Sequence, residues 1–337
     1  MPVVAQTFPQ YYLNQGRQRQ GFINGGFDIW QRGSAFMPGS ESIYTADRWR
    51  YSNRDRSGTT KVELGFVQAD EAPFEVGLRN SIVVARPGPT GEVEKSYLGQ
   101  RIPGVDYGAG QQCSMSFYAK GDAPQELGSI EFVQVFGSGG TPSSRVYGVI
   151  HPSVSISDDY KLYSFSFFIP SVEGKTLGVN NDDYLMIYIN LPRDTPGLFY
   201  ITGMQLNVGP AVLPFQRKSR GEELADCLQF YERLKLDGSP WPITCVALNT
   251  TTAEGSLRYY PKWRPPTRIE VNDMAYTKLK GNGVETNVTI PQPQVYTITE
   301  STALVWLKVE TPPLESNRLY LPYNSATPRY LEIDAEL

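Results

Sequence analysis

The sequence of 337 residues contains one histidine and three cysteines, and these shortages exclude several kinds of chemistry. A Ser-His-Asp triad or a site with several metal-binding histidines would have to use His151, which lies in the sequence VIHPS with no nucleophile or orienting residue beside it. Cys113, Cys227 and Cys245 are scattered and form no ligand cluster, so we expect buried free thiols in a protein made in a reducing compartment. We therefore expect neither a catalytic site nor a transition-metal site.

Excess charge and long apolar runs are also missing. The net charge of −4 gives no electrostatic reason to expect nucleic-acid binding. No apolar run approaches the length needed to span a bilayer, and the first twenty residues lack the basic and apolar regions of a secretory signal. We expect a protein that is not inserted into a membrane and is not exported by a classical signal.

Tyrosine, phenylalanine, glycine and proline are abundant instead, with 21, 15, 31 and 26 residues. This composition is typical of strands joined by tight turns. In residues 111–120, Cys113, Met115 and Phe117 alternate with polar residues, and residues 160–169 repeat this pattern, which indicates strands with one buried face. Nine or so such segments between residues 61 and 208 predict an all-β fold, with a jelly-roll β-sandwich as the preferred topology.

Residues 219–236 are the one segment that we confidently predict to be helical. Ser219 and Glu222 have the spacing of a capping box, apolar residues follow at intervals of three and four, and Gly238 follows the segment as a stop signal. Phe230 and Leu236 add apolar bulk that one small sheet would not cover. We therefore predict self-association, with Phe230 and Tyr231 as partner-binding residues.

A chain of this length is long for one core, so more than one domain is expected. The predicted division is an N-terminal arm (1–20), a jelly-roll domain (21–209), a linker with the helix (210–238) and a small C-terminal β-sandwich or barrel (239–337). The arm is either a frayed terminus or a segment that orders against a partner. In the second case its anchors are Phe8, Tyr11, Tyr12 and Leu13.

Residues 184–191 are apolar or aromatic on both faces, because Leu185 and Ile187 alternate with Tyr184 and Tyr188. Such a strand is either covered on both sides, or its tyrosines form a platform on which a sugar ring can stack. Trp49, in the sequence YTADRW, could also stack on a ligand, although the alternative is a structural corner with an ion pair between its neighbours Asp47 and Arg48. Our candidate ligand-binding residues are Tyr184, Tyr188 and Trp49.

Paired carboxylates remain as a route to catalysis, since glycoside hydrolysis needs two acids placed across one bond. The adjacent pairs are Asp158-Asp159, Asp182-Asp183 and Glu222-Glu223. Neighbours on a strand point to opposite faces, the first two pairs lie in turn-like sequences, and the third fits a helix start. We expect no enzymatic activity, with polysaccharide depolymerase as the less favoured alternative.

Three blocks of the sequence resemble a family of tailed-bacteriophage virion proteins. They are NGGFDIWQRG with YTADRW, then ITGMQLNVGPAVLPFQRKSRGEELADCLQFYERL, and finally YYPKWRPPTRIEV with the terminal IDAEL. The resemblance covers residues 21–337 and implies a tail-fibre or head-appendage protein with an N-terminal jelly roll similar to carbohydrate-binding modules. Such modules often hold a structural calcium, for which Asp28 could be a ligand, but the last strand of the jelly roll (from Tyr200) supplies no acid.

What the resemblance implies is a structural or host-facing role without a cofactor. We expect a virion component that forms a homo-oligomer, with a trimer as the first expectation by analogy with phage fibres. Its arm would contact other virion proteins, and its jelly roll would meet the host surface, whose glycans are candidate ligands. The alternative is a carbohydrate-binding adhesin module.

Overall fold

The structure is a computed structural model, and the residues that it describes are 20–39, 41–52, 60–86, 96–192, 195–235, 243, 245–271, 277–281, 284–287, 294–308, 314, 319–324 and 330–337. The chain divides into two compact units between residues 223 and 224, with Leu337 grouped with the first unit. This division lies inside the segment 210–238 that the sequence assigns to a linker and helix. Phe8, Tyr11, Tyr12 and Leu13 lie outside the described residues, so their predicted role stays a prediction.

The first unit is a sandwich of two antiparallel sheets. Its strands are β1 (Ala35–Phe36), β2 (Ser42–Tyr44), β3 (Arg50–Ser52), β4 (Lys61–Phe66), β5 (Asn80–Arg86), β6 (Ser96–Pro103), β7 (Gln111–Gly121), β8 (Gln125–Leu127), β9 (Ile130–Val135), β10 (Val146–His151), β11 (Val154–Ile156), β12 (Lys161–Ile169), β13 (Tyr184–Leu191) and β14 (Gly197–Val208), with a short helix α1 (Ala72–Glu75) between β4 and β5. One six-stranded sheet has the order β1-β4-β5-β14-β7-β12 and the other β10-β9-β13-β6-β3-β2, while β8 and β11 form a small pair. The prediction of an all-β fold is confirmed.

Alternation along the strands builds the core of this sandwich. Cys113, Met115 and Phe117 on β7 all point inward and are fully buried, as the period-two pattern predicts. From the other sheet, Leu185 and Ile187 on β13 face them across the sandwich interior. Removal of this apolar surface from water is the main source of stability in such a fold.

Trp49 is part of this core and does not reach the surface. Its side chain is fully buried, its ring lies 5.2 Å from the ring of Phe22 and 5.1 Å from that of Phe27, and its indole N–H donates to the carbonyl of Asn24 at 2.8 Å. Since both faces are packed and the only donor is satisfied, Trp49 offers no surface to a ligand. The prediction of Trp49 as a ligand-binding residue is wrong, and its structural role is the correct interpretation.

At the corner formed by Asp47 and Arg48, the contacts differ from the expected ion pair between these two neighbours. Asp47 lies 4.0 Å from the Nη1 of Arg32 and accepts from the backbone N–H of Gln31 at 3.0 Å, whereas the guanidinium of Arg48 donates to the carbonyl of Arg101. Burial raises the pKa of Asp47, and the charge of Arg32 partly opposes that rise. The ion pair at this corner is therefore made by Arg32.

The second unit is also built from antiparallel sheets. Its strands are β15 (Tyr231–Lys235), β16 (Cys245–Ala247), β17 (Thr252–Arg258), β18 (Arg268–Val271), β19 (Thr277–Gly281), β20 (Val284–Asn287), β21 (Gln294–Ile298), β22 (Thr302–Lys308), β23 (Leu319–Asn324) and β24 (Tyr330–Asp334). A three-stranded sheet has the order β15-β24-β18, and a seven-stranded sheet has the order β20-β19-β23-β16-β17-β22-β21. Cys245, Leu257, Leu307 and Ile333 lie in its core.

The helix α2 (Arg220–Leu228) begins where the sequence predicts but ends eight residues early. The backbone N–H of Ser219 donates to Glu222 Oε2 at 3.1 Å and the N–H of Glu222 lies 3.3 Å from Ser219 Oγ, so the capping box is confirmed. After Leu228 the chain turns and enters β15, which pairs with β24 from Tyr231 to Lys235. Pairing with a strand about a hundred residues away has overridden the helical spacing, and the predicted helix beyond Leu228 is wrong.

This correction changes the interpretation of Phe230 and Tyr231. Both are buried within the second unit, at 2% and 1% exposure, and the ring of Phe230 stacks on that of Trp263 with centroids 6.5 Å apart. They do not form the exposed apolar surface from which we predicted partner binding. The argument for self-association that started from this segment is thus lost.

All three cysteines are free and buried, as expected. In the described part of the chain, no helix has the length and apolarity that crossing a bilayer would require.

Candidate functional site

A groove of about 840 Å³ lies on the outer face of the sheet β10-β9-β13-β6-β3-β2. On β13, Leu185 and Ile187 point into the sandwich core, so Tyr184 and Tyr188 on the same strand point outward into the groove. The other lining residues come from neighbouring strands and the segment before β10: Ser42, Arg50, Tyr97, Arg101, Glu131, Val133, Val135, Arg145, Tyr147, Met186 and Asn190. The two predicted tyrosines therefore belong to a surface platform.

Strand register arranges this lining in rows that cross the sheet. Four pairing sets define the rows: Tyr147–Val133–Met186–Arg101, Val149–Glu131–Tyr188–Gly99–Arg50, Val135–Tyr184–Pro103 and Asn190–Tyr97–Ser52–Ser42. Neighbouring strands lie about 4.8 Å apart, so β10 and β6 are separated by roughly 14 Å. The space between them is wide enough for a chain of small rings to lie across the strands.

Gly99 lets neighbouring side chains pack closely in the second row. A Cβ atom at this position would lie 2.6 Å from the Cβ of Tyr188, 2.8 Å from the carbonyl oxygen of Ile187 and 3.0 Å from the Cε of Met186. The carbonyl belongs to the adjacent strand and cannot move aside. Glycine thus allows Tyr188 and Met186 to lie close against β6.

Glu131 is the centre of a hydrogen-bond network at one side of the groove. Its Oε2 accepts from the hydroxyl of Tyr188 at 2.7 Å, while its Oε1 accepts from Ser129 Oγ at 2.5 Å and from Asn190 Nδ2 at 3.0 Å. Burial raises the pKa of Tyr188, and the carboxylate of Glu131 raises it further because it accepts the phenolic proton. The network fixes Tyr188 as a neutral hydrogen-bond donor with a defined ring orientation.

The remaining tyrosines are held by rings and cations. The ring centroids of Tyr97 and Tyr188 are 5.1 Å apart and tilted by 48°, and the guanidinium carbon of Arg101 lies 4.7 Å from the ring centroid of Tyr184. Tyr147, on the edge strand β10, is 64% exposed. Together they form an aromatic rim around an apolar floor made by Val133, Val135 and Met186.

Positive charge predominates along the groove. Among the lining residues that the structure describes, three are arginines (Arg50, Arg101 and Arg145) and one is a carboxylate, Glu131. Arg145 is exposed, while Arg101 also donates to an oxygen of Leu337. The groove thus differs in sign from the whole chain, which carries a net charge of −4.

Two of the three acidic pairs considered for catalysis, Asp182-Asp183 and Glu222-Glu223, accept hydrogen bonds within the fold. Asp182 accepts from the N–H of Ser138 at 2.7 Å, and Asp183 accepts from the N–H of Val105 at 2.8 Å. Glu222 belongs to the helix cap described above. These carboxylates are not among the residues that line the groove.

Among the described residues, His151 and Asp28 have contacts within the fold. His151 Nδ1 lies 2.5 Å from the carbonyl of Ser153 and its ring packs on Phe165 at 4.8 Å. Asp28, considered as a calcium ligand, accepts from Asn80 Nδ2 at 2.6 Å. No group of three or more histidine, cysteine, aspartate or glutamate side chains comes together within the ranges described.

The sequence analysis found Tyr184 and Tyr188 but missed the rest of the groove. A usable signal was present on β6, where Tyr97, Gly99 and Arg101 alternate with buried residues. A strand whose outward positions carry an aromatic, a glycine and a cation presents features that a solvated face does not need. Glu131 and Arg145 had no comparable local signal.

Comparisons with known proteins give distant structural likenesses. No protein-family model and no curated protein sequence matches the chain. The enzymatically active domain of tailspike protein 4 of bacteriophage CBA120 is 13% identical with a TM-score of 0.36 over 57% of this chain, and the match spans 22% of that chain. A family 4 carbohydrate-binding module is 18% identical with a TM-score of 0.33, covering 55% of this chain and 98% of the module.

A third solved structure is the family 11 carbohydrate-binding module from Clostridium thermocellum in complex with a β-1,3-1,4-mixed-linked tetrasaccharide. It is 15% identical with a TM-score of 0.29, covering 51% of this chain and 96% of that chain. The structural neighbours of this chain thus include a phage tailspike domain and carbohydrate-binding modules. TM-scores of this size establish no function for the chain, so its function has to be argued from the groove itself.

Proposed function

We propose that the chain is a non-enzymatic structural protein of a tailed-phage virion, and that its first unit binds carbohydrate in the tyrosine-lined groove. The observation that carries the carbohydrate proposal is the set of tyrosines on the outward face of a sheet, above an apolar floor. The resemblance of the sequence to phage virion proteins supports the setting.

The groove has the two kinds of contact that a sugar ring requires. The apolar face of a sugar ring packs on the flat face of a tyrosine, and its hydroxyl groups need donors and acceptors at the rim. Tyr147 presents an exposed ring, and Tyr188 is held in place by Glu131. Because Tyr188 is held before a ligand arrives, its side chain loses little entropy on binding.

A lectin-like role is favoured over glycoside hydrolysis. Hydrolysis uses two carboxyl groups on opposite sides of the scissile bond, whereas Glu131 is the one carboxylate among the lining residues that the structure describes. Both of its oxygens already accept hydrogen bonds from the sheet. These contacts suit a positioning group better than a general acid or a nucleophile.

The test is a glycan array probed with the full chain and with Tyr147→Ala. The ring of Tyr147 is mostly exposed, so its removal should leave the fold intact and weaken glycan binding by about fivefold or more. Tyr260→Ala, at a tyrosine that is 38% exposed in the second unit, is the matched control and should bind like the wild type. A folded chain that binds no glycan, or that binds equally well after Tyr147→Ala, would overturn the proposal.

The same purified chain distinguishes carbohydrate binding from the depolymerase alternative. Incubation with a polysaccharide that the chain binds should release no reducing ends. Release that persists through purification and is lost in Glu131→Gln would establish hydrolysis instead.

Assembly into the virion is also part of the proposal. We propose a homo-oligomer, with a trimer as the first expectation from phage fibres, and attachment to other virion proteins through residues 1–20. Light scattering should give an oligomer at micromolar concentration, and a monodisperse monomer would contradict it. Deletion of residues 1–20 should abolish incorporation into particles while the circular dichroism spectrum of the chain is unchanged; normal incorporation would refute the role of the arm.

A further inference from the structure

We propose that the groove selects an acidic glycan, one whose sugars carry carboxylate or sulfate groups, over a neutral one. This inference rests on the proposed carbohydrate binding and specifies its ligand class. It starts from the charge of the described lining residues, which include three arginines (Arg50, Arg101 and Arg145) and one carboxylate (Glu131). A chain with 35 acidic and 31 basic residues has therefore placed an excess of cations on this one surface.

The carboxylate of Glu131 is part of the hydrogen-bond network described above. Its hydrogen bonds come from Ser129, Tyr188 and Asn190, which lie on or beside β9 and β13. The arginines are on other strands, with Arg50 and Arg101 on β3 and β6 and Arg145 ahead of β10. The positive charge is thus distributed along both sides of the apolar floor.

The rows across the sheet show how an anionic sugar would fit. Arg101 lies in the same row as Met186, Val133 and Tyr147, so a ring resting on the floor has an arginine at one end and an exposed tyrosine at the other. Arg50 occupies the corresponding end of the next row, beyond Gly99. Because Gly99 has no side chain, none stands between Arg50 and Tyr188 in this row.

Arginine chemistry favours an oxyanion at these positions. A guanidinium is always charged, and its planar fork matches the two oxygens of a carboxylate or sulfate. A neutral glycan covering the same rows would remove water from cations without supplying a counter-charge, which costs binding free energy. The same three arginines therefore strengthen binding to an acidic glycan and weaken binding to a neutral one.

The test compares pairs of saccharides that differ in charge alone. Oligogalacturonate is compared with its methyl ester, and dextran sulfate with dextran, by calorimetry on the full chain. We expect the charged member of at least one pair to bind about tenfold or more tightly than its neutral partner, which corresponds to one charge-assisted hydrogen bond. The pair that shows the difference identifies carboxylate or sulfate as the recognised group.

Arg145→Gln is the informative variant, because this arginine is exposed and lies before β10 rather than within it. It should lower the affinity for the acidic saccharide about tenfold and should not lower that for the neutral one. Lys161→Gln, which removes an exposed cation from β12 of the other sheet, is the matched control and should change neither. Polyglutamate, a polyanion without sugar rings, should bind at least tenfold more weakly than the acidic saccharide.

The outcomes separate this inference from the proposed function. Equal affinity for charged and neutral members, with binding lost in Tyr147→Ala, would overturn the acidic specificity and keep carbohydrate binding. Equal losses in Arg145→Gln and Lys161→Gln, or polyglutamate binding as strong as that of the saccharide, would reduce the effect to general electrostatics and also overturn it. Absence of binding to any glycan would overturn both.

Discussion

Replacement of Glu131 by glutamine tests whether the hydrogen-bond network holds the groove in shape. Three donors converge on this carboxylate, from Tyr188 at 2.7 Å, Ser129 at 2.5 Å and Asn190 at 3.0 Å. Glutamine keeps the volume but replaces one acceptor oxygen with an N–H₂ donor and removes the charge. The bond on the side of the new N–H₂ group is then kept only if the hydroxyl of Tyr188 or Ser129 turns to accept, and all three contacts become neutral.

The expected cost follows from those contacts. A hydrogen bond to a charged group contributes about 1.5–3 kcal/mol and a neutral one about 0.5–1.5 kcal/mol. Because the site is only half-buried and water can replace part of what is lost, we expect Glu131→Gln to lower the free energy of unfolding of the first unit by about 1–3 kcal/mol. Tyr188→Phe removes one donor and should cost about 1–2 kcal/mol.

Urea denaturation of the full chain measures both effects, and the double variant gives the coupling between them. We expect a coupling energy of about 1 kcal/mol or more, since the two residues share one hydrogen bond. Glu126→Gln is the control, because Glu126 is exposed and accepts one bond, from Ser155 at 3.2 Å, so its removal should cost less than about 0.5 kcal/mol. If Glu131→Gln and Glu126→Gln cost the same and the coupling is zero, the network does not stabilise the groove.

Three further predictions concern other parts of the molecule. Gly99→Val should lower the free energy of unfolding by about 1–3 kcal/mol, measured in urea, and also weaken glycan binding, because its Cβ would lie 2.8 Å from a carbonyl of the adjacent strand. Burial raises the pKa of Cys113 to about 11 and that of Cys245 to about 12. At about pH 8, a thiol reagent should therefore react with neither cysteine in the native chain and with both in denaturant. Lys262→Met should cost about 3 kcal/mol in the second unit, because Lys262 Nζ lies 2.7 Å from Glu232 Oε2 with its side chain fully buried, and adding Glu232→Gln should recover about 1 kcal/mol or more.

Each of these has a contradicting result. A Gly99→Val chain with wild-type stability would mean that β6 and β13 can separate without cost. Rapid reaction of Cys113 or Cys245 in the native chain would show that burial does not protect the thiols. A double variant at Lys262 and Glu232 less stable than Lys262→Met alone would show that the lone carboxylate costs nothing.

The sequence anticipated the features that depend on local pattern. Period-two alternation identifies the residues that share one face of a strand, and it placed Cys113, Met115 and Phe117 together in the core. A capping box is a contact between residues three apart, so Ser219 and Glu222 mark the start of α2 without reference to the rest of the chain. These inferences hold because the interacting groups are neighbours in the chain.

The residue at which α2 ends depends on tertiary contacts. Apolar residues at 230, 231 and 234 are compatible with a helix, but Tyr231–Lys235 pairs with Tyr330–Asp334 instead. Such a pairing satisfies the same backbone groups as a helical turn would and buries Phe230 and Tyr231 as well. A local pattern contains no information about a strand that arrives about a hundred residues later.

The groove was decided in the same way. Alternation showed that Tyr184 and Tyr188 share a face, but it could not tell whether that face would be covered. It also gave no reason to prefer these tyrosines over Trp49 as ligand-binding residues. Only the sheet order brings β6, β9, β10 and β13 side by side, and with them Arg101, Glu131 and Tyr147. Sequence thus determined which residues point together along each strand, whereas tertiary structure decided which strands are neighbours and which faces meet water, because those depend on contacts between distant parts of the chain.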